Sequence, residues 1–252
     1  MRHYFAFLIS AFFFVLGCAH LIKVKDPRTG IEHSVPTKFA KVPGVEELAK
    51  LCATKGGRKI NRTLNAEGYL DRTESQCGYA CWEHIIFSHL KYVEIEIDNS
   101  ELNEVTPQSG IWKFYKSSLA SNECEPHITG FVKARKRYQT FTSEHCLSAV
   151  RNSQIESRYE RLIEEELIPL TNKYNSQIWE TTESFRDRND KTVIAEQRSY
   201  YLVPNHSVLD PGWGISCGQL GFWNYDTTFE MEVFKLKGVN KDEFIRVREH
   251  LP

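Results

Sequence analysis

The chain has 252 residues, of which 41% are hydrophobic and 26% are charged, a composition typical of globular proteins. Its 32 Lys and Arg residues nearly balance 33 Asp and Glu residues, which gives a formal net charge of −1. This balance excludes a strongly basic nucleic-acid-binding protein and an acidic, solvating tail, so no nucleic-acid partner is expected. The length fits one domain or at most two.

The first residues have the pattern of an export signal. Arg2 and the amino terminus supply positive charge, and residues 4–16 form an apolar run that is too short to span a bilayer comfortably as a helix. Residues 15–18 (VLGC) follow the pattern of a bacterial lipobox, in which the cysteine is acylated and the signal is cut just before it. The pattern predicts a signal peptide over residues 1–17 and a lipid anchor on Cys18.

Lipidation of Cys18 would make a membrane the first partner of the protein. Each buried CH₂ group contributes about 0.8 kcal/mol, so two or more acyl chains hold a protein on a bilayer. Ala19 lacks the Asp-type signal that retains Gram-negative lipoproteins in the inner membrane, and we therefore expect an outer-membrane lipoprotein on the periplasmic side or at the surface. The alternative is cleavage after Ala19 by ordinary signal peptidase, which leaves a soluble secreted or periplasmic protein.

The segment after the signal, residues 18–44, is interpreted as a lipid-anchored tether or a small hairpin. Residues 26–30 (DPRTG) have turn composition and separate two short extended stretches. Apolar residues then recur at helical spacing over residues 45–52, and Gly56-Gly57 end this predicted helix.

After Gly57 the chain has mainly the pattern of strands. Candidate strands are residues 58–70, 92–98, 110–115 and 229–236, and a long hairpin is predicted from residues 176–185 and 192–203. Residues 143–150 predict a short helix with Ser143 as its N-cap, whereas residues 157–168 suit either a helix or a strand. Neighbouring runs of strands favour a single α+β domain over residues 45–252, with a mainly antiparallel sheet and a few short helices.

The cysteine content fits an exported protein stabilised by disulfides. Of the seven cysteines, six remain after Cys18, namely Cys52, Cys77, Cys81, Cys124, Cys146 and Cys217. An even number in an oxidising compartment predicts three bridges, although sequence alone leaves many connectivities open. The preferred pairs are Cys52 with Cys217 and Cys124 with Cys146. Cys77 and Cys81 lie four residues apart and would need a loop, or other partners, because a regular helix would not orient them for a bridge.

Several short segments resemble an uncharacterised group of small proteobacterial lipoproteins. They are Leu51-Cys52, Gly56-Gly57, Lys59-Ile60, residues 186–196 (RDRNDKTVIAE) and Ser216-Cys217. The group has an early Leu-Cys…Gly-Gly helix end, a late hairpin and a Ser-Cys near the C-terminus; here Asn189-Asp190-Lys191 replaces the more usual Thr-Gly turn. The resemblance implies export, one domain and the Cys52–Cys217 pair, and it implies no activity.

Two motifs suggest enzymatic alternatives. Residues 214–218 (GISCG) match G-x-S-x-G, and Asp226 and His250 follow Ser216 in the order of a hydrolase triad, but the surrounding residues lack the strand–turn–helix pattern of that motif. A second cluster could form a tetrahedral zinc site; it contains Cys77, Cys81, His84, Cys124, His127, His145 and Cys146. Disulfides are the preferred interpretation for these cysteines, so no metal is expected.

A basic run is the last candidate for binding. Residues 133–137 (KARKR) could contact phosphate, lipopolysaccharide or a nucleic acid, although a solvated strand face is the commoner explanation. The whole sequence favours a non-enzymatic, lipid-anchored envelope protein that binds a partner such as another envelope protein. No catalytic residue and no cofactor are expected. The alternative is an exported hydrolase or a metal-binding enzyme.

Overall fold

The computed structural model describes residues 22–73, 79–86, 89–127, 139–170, 176–203, 214–222 and 229–234. Its helices are α1 (Val45–Thr54), α2 (Tyr79–Ile86), α3 (Gln139–Glu144) and α4 (Phe229–Val233). Its strands are β1 (Lys23–Lys25), β2 (Glu32–Ser34), β3 (Gly57–Ile60), β4 (Gly68–Asp71), β5 (Tyr92–Ile97), β6 (Gly110–Ser118), β7 (His145–Asn152), β8 (Tyr159–Ile168), β9 (Gln177–Asp187), β10 (Val193–Val203) and β11 (Ile215–Ser216). No helix in the described part of the chain is long and apolar enough to cross a membrane.

The main sheet is mixed, so the predicted α+β class is confirmed but its strands are not all antiparallel. The hydrogen-bonded order is β11-β10-β9-β8-β4-β5-β6-β7, with β3 beside β10. Strand β4 runs parallel to both β5 and β8, whereas β6 is antiparallel to β5 and β7. The physical reason is α2, which lies between β4 and β5 in the chain, because parallel neighbours need a crossover connection and a helix commonly provides it.

Two further sequence predictions are wrong. The stretch predicted as a helix over residues 143–150 is mostly strand β7, because β7 pairs with β6 along its whole length and buries Cys146 and Leu147. The strand predicted over residues 229–236 is helix α4, in which Phe229 and Val233 lie one turn apart and are both buried. The ambiguous stretch 157–168 forms strand β8.

Other predicted elements are present. Strands β1 and β2 pair in antiparallel register and form a small hairpin within residues 18–44. The predicted helix over residues 45–52 is α1, and the predicted hairpin over residues 176–203 is formed by β9 and β10, which are neighbours in the sheet. The turn between them is closed by hydrogen bonds from Asp187 N to Thr192 O and from Lys191 N to Asp187 O.

The described residues form two compact units. Unit 1 takes its residues from 1–57, 166–180 and 199–224, and unit 2 takes them from 58–165, 181–198 and 225–252. In unit 1, α1 buries Val45, Leu48, Ala49, Cys52 and Ala53. These side chains share a core with residues of β1, β9, β10 and β11, including Tyr200 and Ile215.

The core of unit 2 lies on the face of the sheet that α2 and α4 cover. Its largest fully buried side chains include Tyr69, Phe114, Phe185 and Phe234. Phe185 contacts the rings of Tyr69 and Phe234 in edge-on geometry, with ring centroids 5.4 Å and 5.2 Å apart. This apolar core surrounds the charged residues described next.

Candidate functional site

The most unusual feature of unit 2 is a buried group of charged side chains around Arg161. Strands β4 and β8 are parallel neighbours, and their register places Asp71 directly beside Arg161. Strand β9 supplies Glu183 and helix α4 supplies Glu230. We call Asp71, Arg161, Glu183 and Glu230 the Arg161 cluster.

The guanidinium of Arg161 contacts all three carboxylates of the cluster. Its Nη1 donates to Asp71 Oδ2 at 3.0 Å, its Nε donates to Glu183 Oε1 at 2.7 Å, and its Nη2 lies 2.8 Å from Glu230 Oε1. The exposed fraction of these side chains is 10% for Arg161, 1% for Asp71, 13% for Glu183 and 8% for Glu230. One guanidinium therefore contacts three carboxylates in a region that is largely shielded from water.

Two buried residues extend the Arg161 cluster. The Tyr69 hydroxyl lies 2.6 Å from His84 Nδ1 and 3.5 Å from Asp71 Oδ2. The other ring nitrogen of His84, Nε2, lies 3.9 Å from Glu230 Oε2. His84 belongs to α2, so the network connects both helices of this face with strands β4, β8 and β9.

Burial and charge shift the pKa values of this group in different directions. Burial raises the pKa of Glu183 from 4.5 to about 7; Arg161 opposes the shift and Glu230 adds to it. Burial lowers the pKa of His84, although the Glu230 carboxylate acts in the opposite direction. Burial disfavours the charged guanidinium of Arg161, but the carboxylates around it, Glu230 first, hold its pKa well above the ordinary value. Burial thus favours the neutral forms of Glu183 and His84.

A second candidate is a polar cleft of about 530 Å³ in unit 2, open to solvent. It lies where β4 and β5 end and β6 begins, and its lining residues are Arg72, Glu96, Ile97, Asp98, Asn99, Ser109 and Gly110. Arg72 donates to Glu96 Oε2 at 2.8 Å and to Glu160 Oε2 at 2.9 Å. The cleft therefore offers charges of both signs together with neutral polar groups, as a site for a polar ligand would.

Both preferred cysteine pairs lie at disulfide distance. The Cα atoms are 5.6 Å apart in Cys52–Cys217 and also in Cys124–Cys146, within the range of natural bridges. Cys81 is buried in α2 and is disulfide-bonded as well. Cys18 and Cys77 lie outside the described residues, as do the basic run 133–137, Asp226 and His250.

Ser216 does not have the surroundings of a hydrolase nucleophile. It ends the short strand β11, which pairs antiparallel with β10, and a turn follows it rather than a helix. The Ser216 hydroxyl accepts a hydrogen bond from Gln219 N at 3.3 Å, while Ser216 N donates to Gln219 Oε1. The next residue is the bridged Cys217. Ser216 therefore lies in a turn that the Cys52–Cys217 disulfide holds in place.

The described residues of the predicted zinc alternative do not come together as a metal site. Cys124 and Cys146 bind each other, and a bridged sulfur is no longer the thiolate that zinc requires. His84 belongs to the buried network, whereas His127 lies 2.8 Å from Glu104 and is exposed. Within the described residues, no group of three or more His, Cys, Asp and Glu side chains could hold a metal ion.

Sequence reasoning missed the Arg161 cluster entirely. Its members are spread over β4, β8, β9 and α4 and have no common motif or spacing. On β8, Glu160 and Arg161 are buried whereas Glu164, Glu165 and Glu166 are exposed, and the sequence does not distinguish these charged residues from one another. Comparison of the chain with protein-family models, curated proteins and solved structures found no match.

Proposed function

We propose that the protein is a lipid-anchored component of the cell envelope that works by binding a partner or ligand at the outer membrane rather than by catalysis. The observation that carries the proposal is the pairing of Cys52 with Cys217 and of Cys124 with Cys146. Such bridges persist in oxidising compartments and are rare in a reducing cytosol. Together with the lipobox-like residues 15–18, they favour export and anchoring through Cys18.

The preference for binding over catalysis rests on the residues that an enzyme would need. The turn at Ser216 does not have the strand–turn–helix geometry that exposes a hydrolase nucleophile. Cys124 and Cys146 form a disulfide, so their sulfurs are not thiolates that could bind zinc. These two observations remove support from the serine-hydrolase and zinc-enzyme alternatives.

The polar cleft is the binding surface that we propose for this function. Arg72, Glu96 and Asp98 provide charges of both signs, and Asn99 and Ser109 provide neutral polar groups at its rim. Adjacent carboxyl ends of parallel strands are a frequent place for ligand sites, because the chain can diverge there and leave a crevice. Strands β4 and β5 are parallel and both end at this cleft.

The anchoring part of the proposal is tested by the intact mass of protein extracted from membranes in detergent, with free thiols alkylated and no reductant added. We expect a mass that begins at Cys18, carries acyl chains and shows no alkylation. A soluble species that begins after Ala19 would contradict the lipid anchor. A species with several alkylated cysteines would contradict a location in an oxidising compartment.

The binding part is tested by placing a photo-crosslinking amino acid at Asn99, in the cleft, and in a separate variant at Glu165, an exposed position on β8 outside the cleft lining. Irradiation of intact cells is expected to give a discrete adduct from position 99 and none from position 165. Absence of any adduct at position 99, or the same adduct from both positions, would contradict the cleft as the binding surface.

A further inference from the structure

We propose that the turn end of the β9–β10 hairpin carries a binding site for a phosphate group, formed by the guanidinium groups of Arg62, Arg158 and Arg188. We call these three residues the arginine site. The site belongs to unit 2, lies outside the lining of the polar cleft and does not depend on the proposed function. Its ligand is free phosphate or the phosphate group of a lipid headgroup, since the same contacts recognise both.

A buried carboxylate holds two of the three arginines. Asp187 is the last residue of β9, and its side chain is fully buried. Arg158 Nε donates to Asp187 Oδ2 at 2.7 Å, Arg158 Nη2 lies 2.7 Å from the same oxygen, and Arg62 Nη2 lies 3.6 Å from it. Two guanidinium groups thus converge on one oxygen atom.

Asp187 is itself held in place, which limits the positions of both arginines. Asn189 N donates to Asp187 Oδ1 at 3.0 Å. The hydrogen bond from Arg158 lowers the pKa of Asp187, so this carboxylate is ionised at neutral pH. Side chains that are ordered before a ligand arrives lose less conformational entropy when it binds. The arginine site is therefore preorganised by its own buried aspartate.

Arg188 adds a third guanidinium group at the same end of the sheet. Its backbone N donates to Arg158 O at 2.8 Å, and its Nη1 donates to Ser157 O. Both contacts are with the segment that carries Arg158. The guanidinium group of Arg188 is consequently held beside the residue that precedes Arg158 in the chain.

The arginine site has an excess of positive charge and is open to solvent. The exposed fraction of the side chain is 57% for Arg158 and 49% for Arg62. Within the described part of the chain, Asp187 is the one carboxylate in ion-pair contact with either of them. Asp190, the other acidic residue of the turn, accepts a backbone hydrogen bond. Three guanidinium groups therefore accompany two carboxylates, and most of their N–H groups can still donate to a ligand.

This arrangement fits a phosphate group better than a carboxylate. A guanidinium group presents planar pairs of N–H donors that match two oxygens of either anion. A phosphate monoester has three such oxygens and a charge of about −1.5 to −2 near pH 7, so it can contact several guanidinium groups at once. A carboxylate has two oxygens and one negative charge.

The test is a titration of the full chain with sodium phosphate and, separately, with a soluble short-chain phosphatidic acid, followed through the NMR resonances of the arginine Nε–Hε groups. Chloride keeps the ionic strength constant and separates phosphate binding from a general effect of salt. We expect the resonances of Arg62, Arg158 and Arg188 to shift and to saturate. Phosphate binding at least as tight as that of phosphatidic acid identifies free phosphate as the ligand, whereas tighter binding of phosphatidic acid identifies a lipid headgroup.

A variant and a matched control show whether the arginine site is responsible. Arg62→Gln removes one guanidinium group and keeps the hydrogen bond between Arg158 and Asp187, so the fold should stay intact while the affinity for either ligand falls about tenfold. Arg28→Gln is the control, because Arg28 also pairs with an aspartate, Asp26, but without a second arginine among the described contacts. Its affinity should equal that of the wild type.

Three results would each overturn the proposal. The first is that the resonances of the three arginines do not shift with either ligand. The second is that Arg62→Gln binds phosphate and phosphatidic acid as tightly as the wild type. The third is that Arg28→Gln loses as much affinity as Arg62→Gln, because binding would then depend on general surface charge.

Discussion

Arg161 Nη1 donates to Asp71 Oδ2 at 3.0 Å, and this contact joins two parallel neighbouring strands inside the core of unit 2. The exposed fraction of the Asp71 side chain is 1% and that of Arg161 is 10%. A buried ion pair of this kind is costly to break, because removal of one partner leaves the other charge without compensation. The pair is the centre from which the charged network of β4, β8, β9 and α4 extends.

Replacement of Arg161 is expected to destabilise the protein strongly. Arg161→Met would remove the guanidinium that contacts three buried carboxylates and should lower the free energy of unfolding by about 3–5 kcal/mol. Arg161→Lys should recover only part of this loss, because one ammonium group cannot reproduce the three-way contact of the guanidinium. Urea unfolding at neutral pH measures both effects.

A matched surface substitution provides the control for Arg161. Lys50 pairs with Glu46 on α1, and the exposed fractions of the two side chains are 60% and 55%. Lys50→Met should change the free energy of unfolding by less than about 1 kcal/mol, as is usual for exposed pairs. An equal decrease in the free energy of unfolding for Lys50→Met and Arg161→Met would contradict the proposed contribution of Arg161 to stability.

The stability of the protein should depend on the protonation of Glu183. Its pKa is raised from 4.5 to about 7 in the folded state, so between these values the folded chain keeps a proton that the unfolded chain has released. The free energy of unfolding contributed by this group therefore falls as the pH rises from 4.5 to 7 and stays low above 7. The upper limit of the effect is about 3 kcal/mol.

Comparison with Glu183→Gln isolates this contribution, because His84 has the opposite dependence. The pKa of His84 is lowered from 6.5, so its neutral form stabilises the fold and that stability is lost as the pH falls below 6.5. The difference between wild type and Glu183→Gln in urea unfolding should grow from pH 4.5 to pH 7.5, with the variant the more stable at high pH. A difference independent of pH would refute the assignment.

The two disulfides should contribute unequally to stability. Cys52 and Cys217 are separated by 165 residues, and Cys124 and Cys146 by 22. In the chain-entropy description, the longer loop contributes about 4–5 kcal/mol and the shorter about 3 kcal/mol. The test is thermal unfolding, without reductant, of the double variants Cys52→Ala/Cys217→Ala and Cys124→Ala/Cys146→Ala. The unfolding temperature should decrease more in the first variant than in the second. The reverse order would contradict this account.

Gly68 on β4 is expected to tolerate no side chain. A Cβ at this position would lie 2.5 Å from the backbone oxygen of Tyr92, on the parallel neighbour β5. Gly68→Ala should therefore lower the free energy of unfolding by about 1–3 kcal/mol through overpacking. Gly218→Ala is the control, since its nearest contact is the Ser216 hydroxyl at 3.8 Å. Equal unfolding midpoints in urea for both variants would argue against the close approach of β4 and β5.

Local patterns in the sequence were sufficient to predict α1 and the β9–β10 hairpin, because apolar spacing and turn residues act within a few positions of each other. The predicted cysteine pairs also agree with the structure. The predictions for strand β7 and helix α4 are wrong for the same reason. A short apolar segment is compatible with both helix and strand, and its contacts with the rest of the fold decide between them. Pairing with β6 decides the first and burial of Phe229 with Val233 decides the second.

The α+β class, the positions of several elements and the prediction of disulfides follow from the amino-acid sequence alone. That β4 lies between parallel neighbours, and that Asp71, Arg161, Glu183 and Glu230 meet, is seen only in the folded chain. Secondary structure follows largely from neighbouring residues, whereas a charged cluster assembled from three strands and a helix depends on register and packing between distant segments. No local pattern along the chain encodes that meeting.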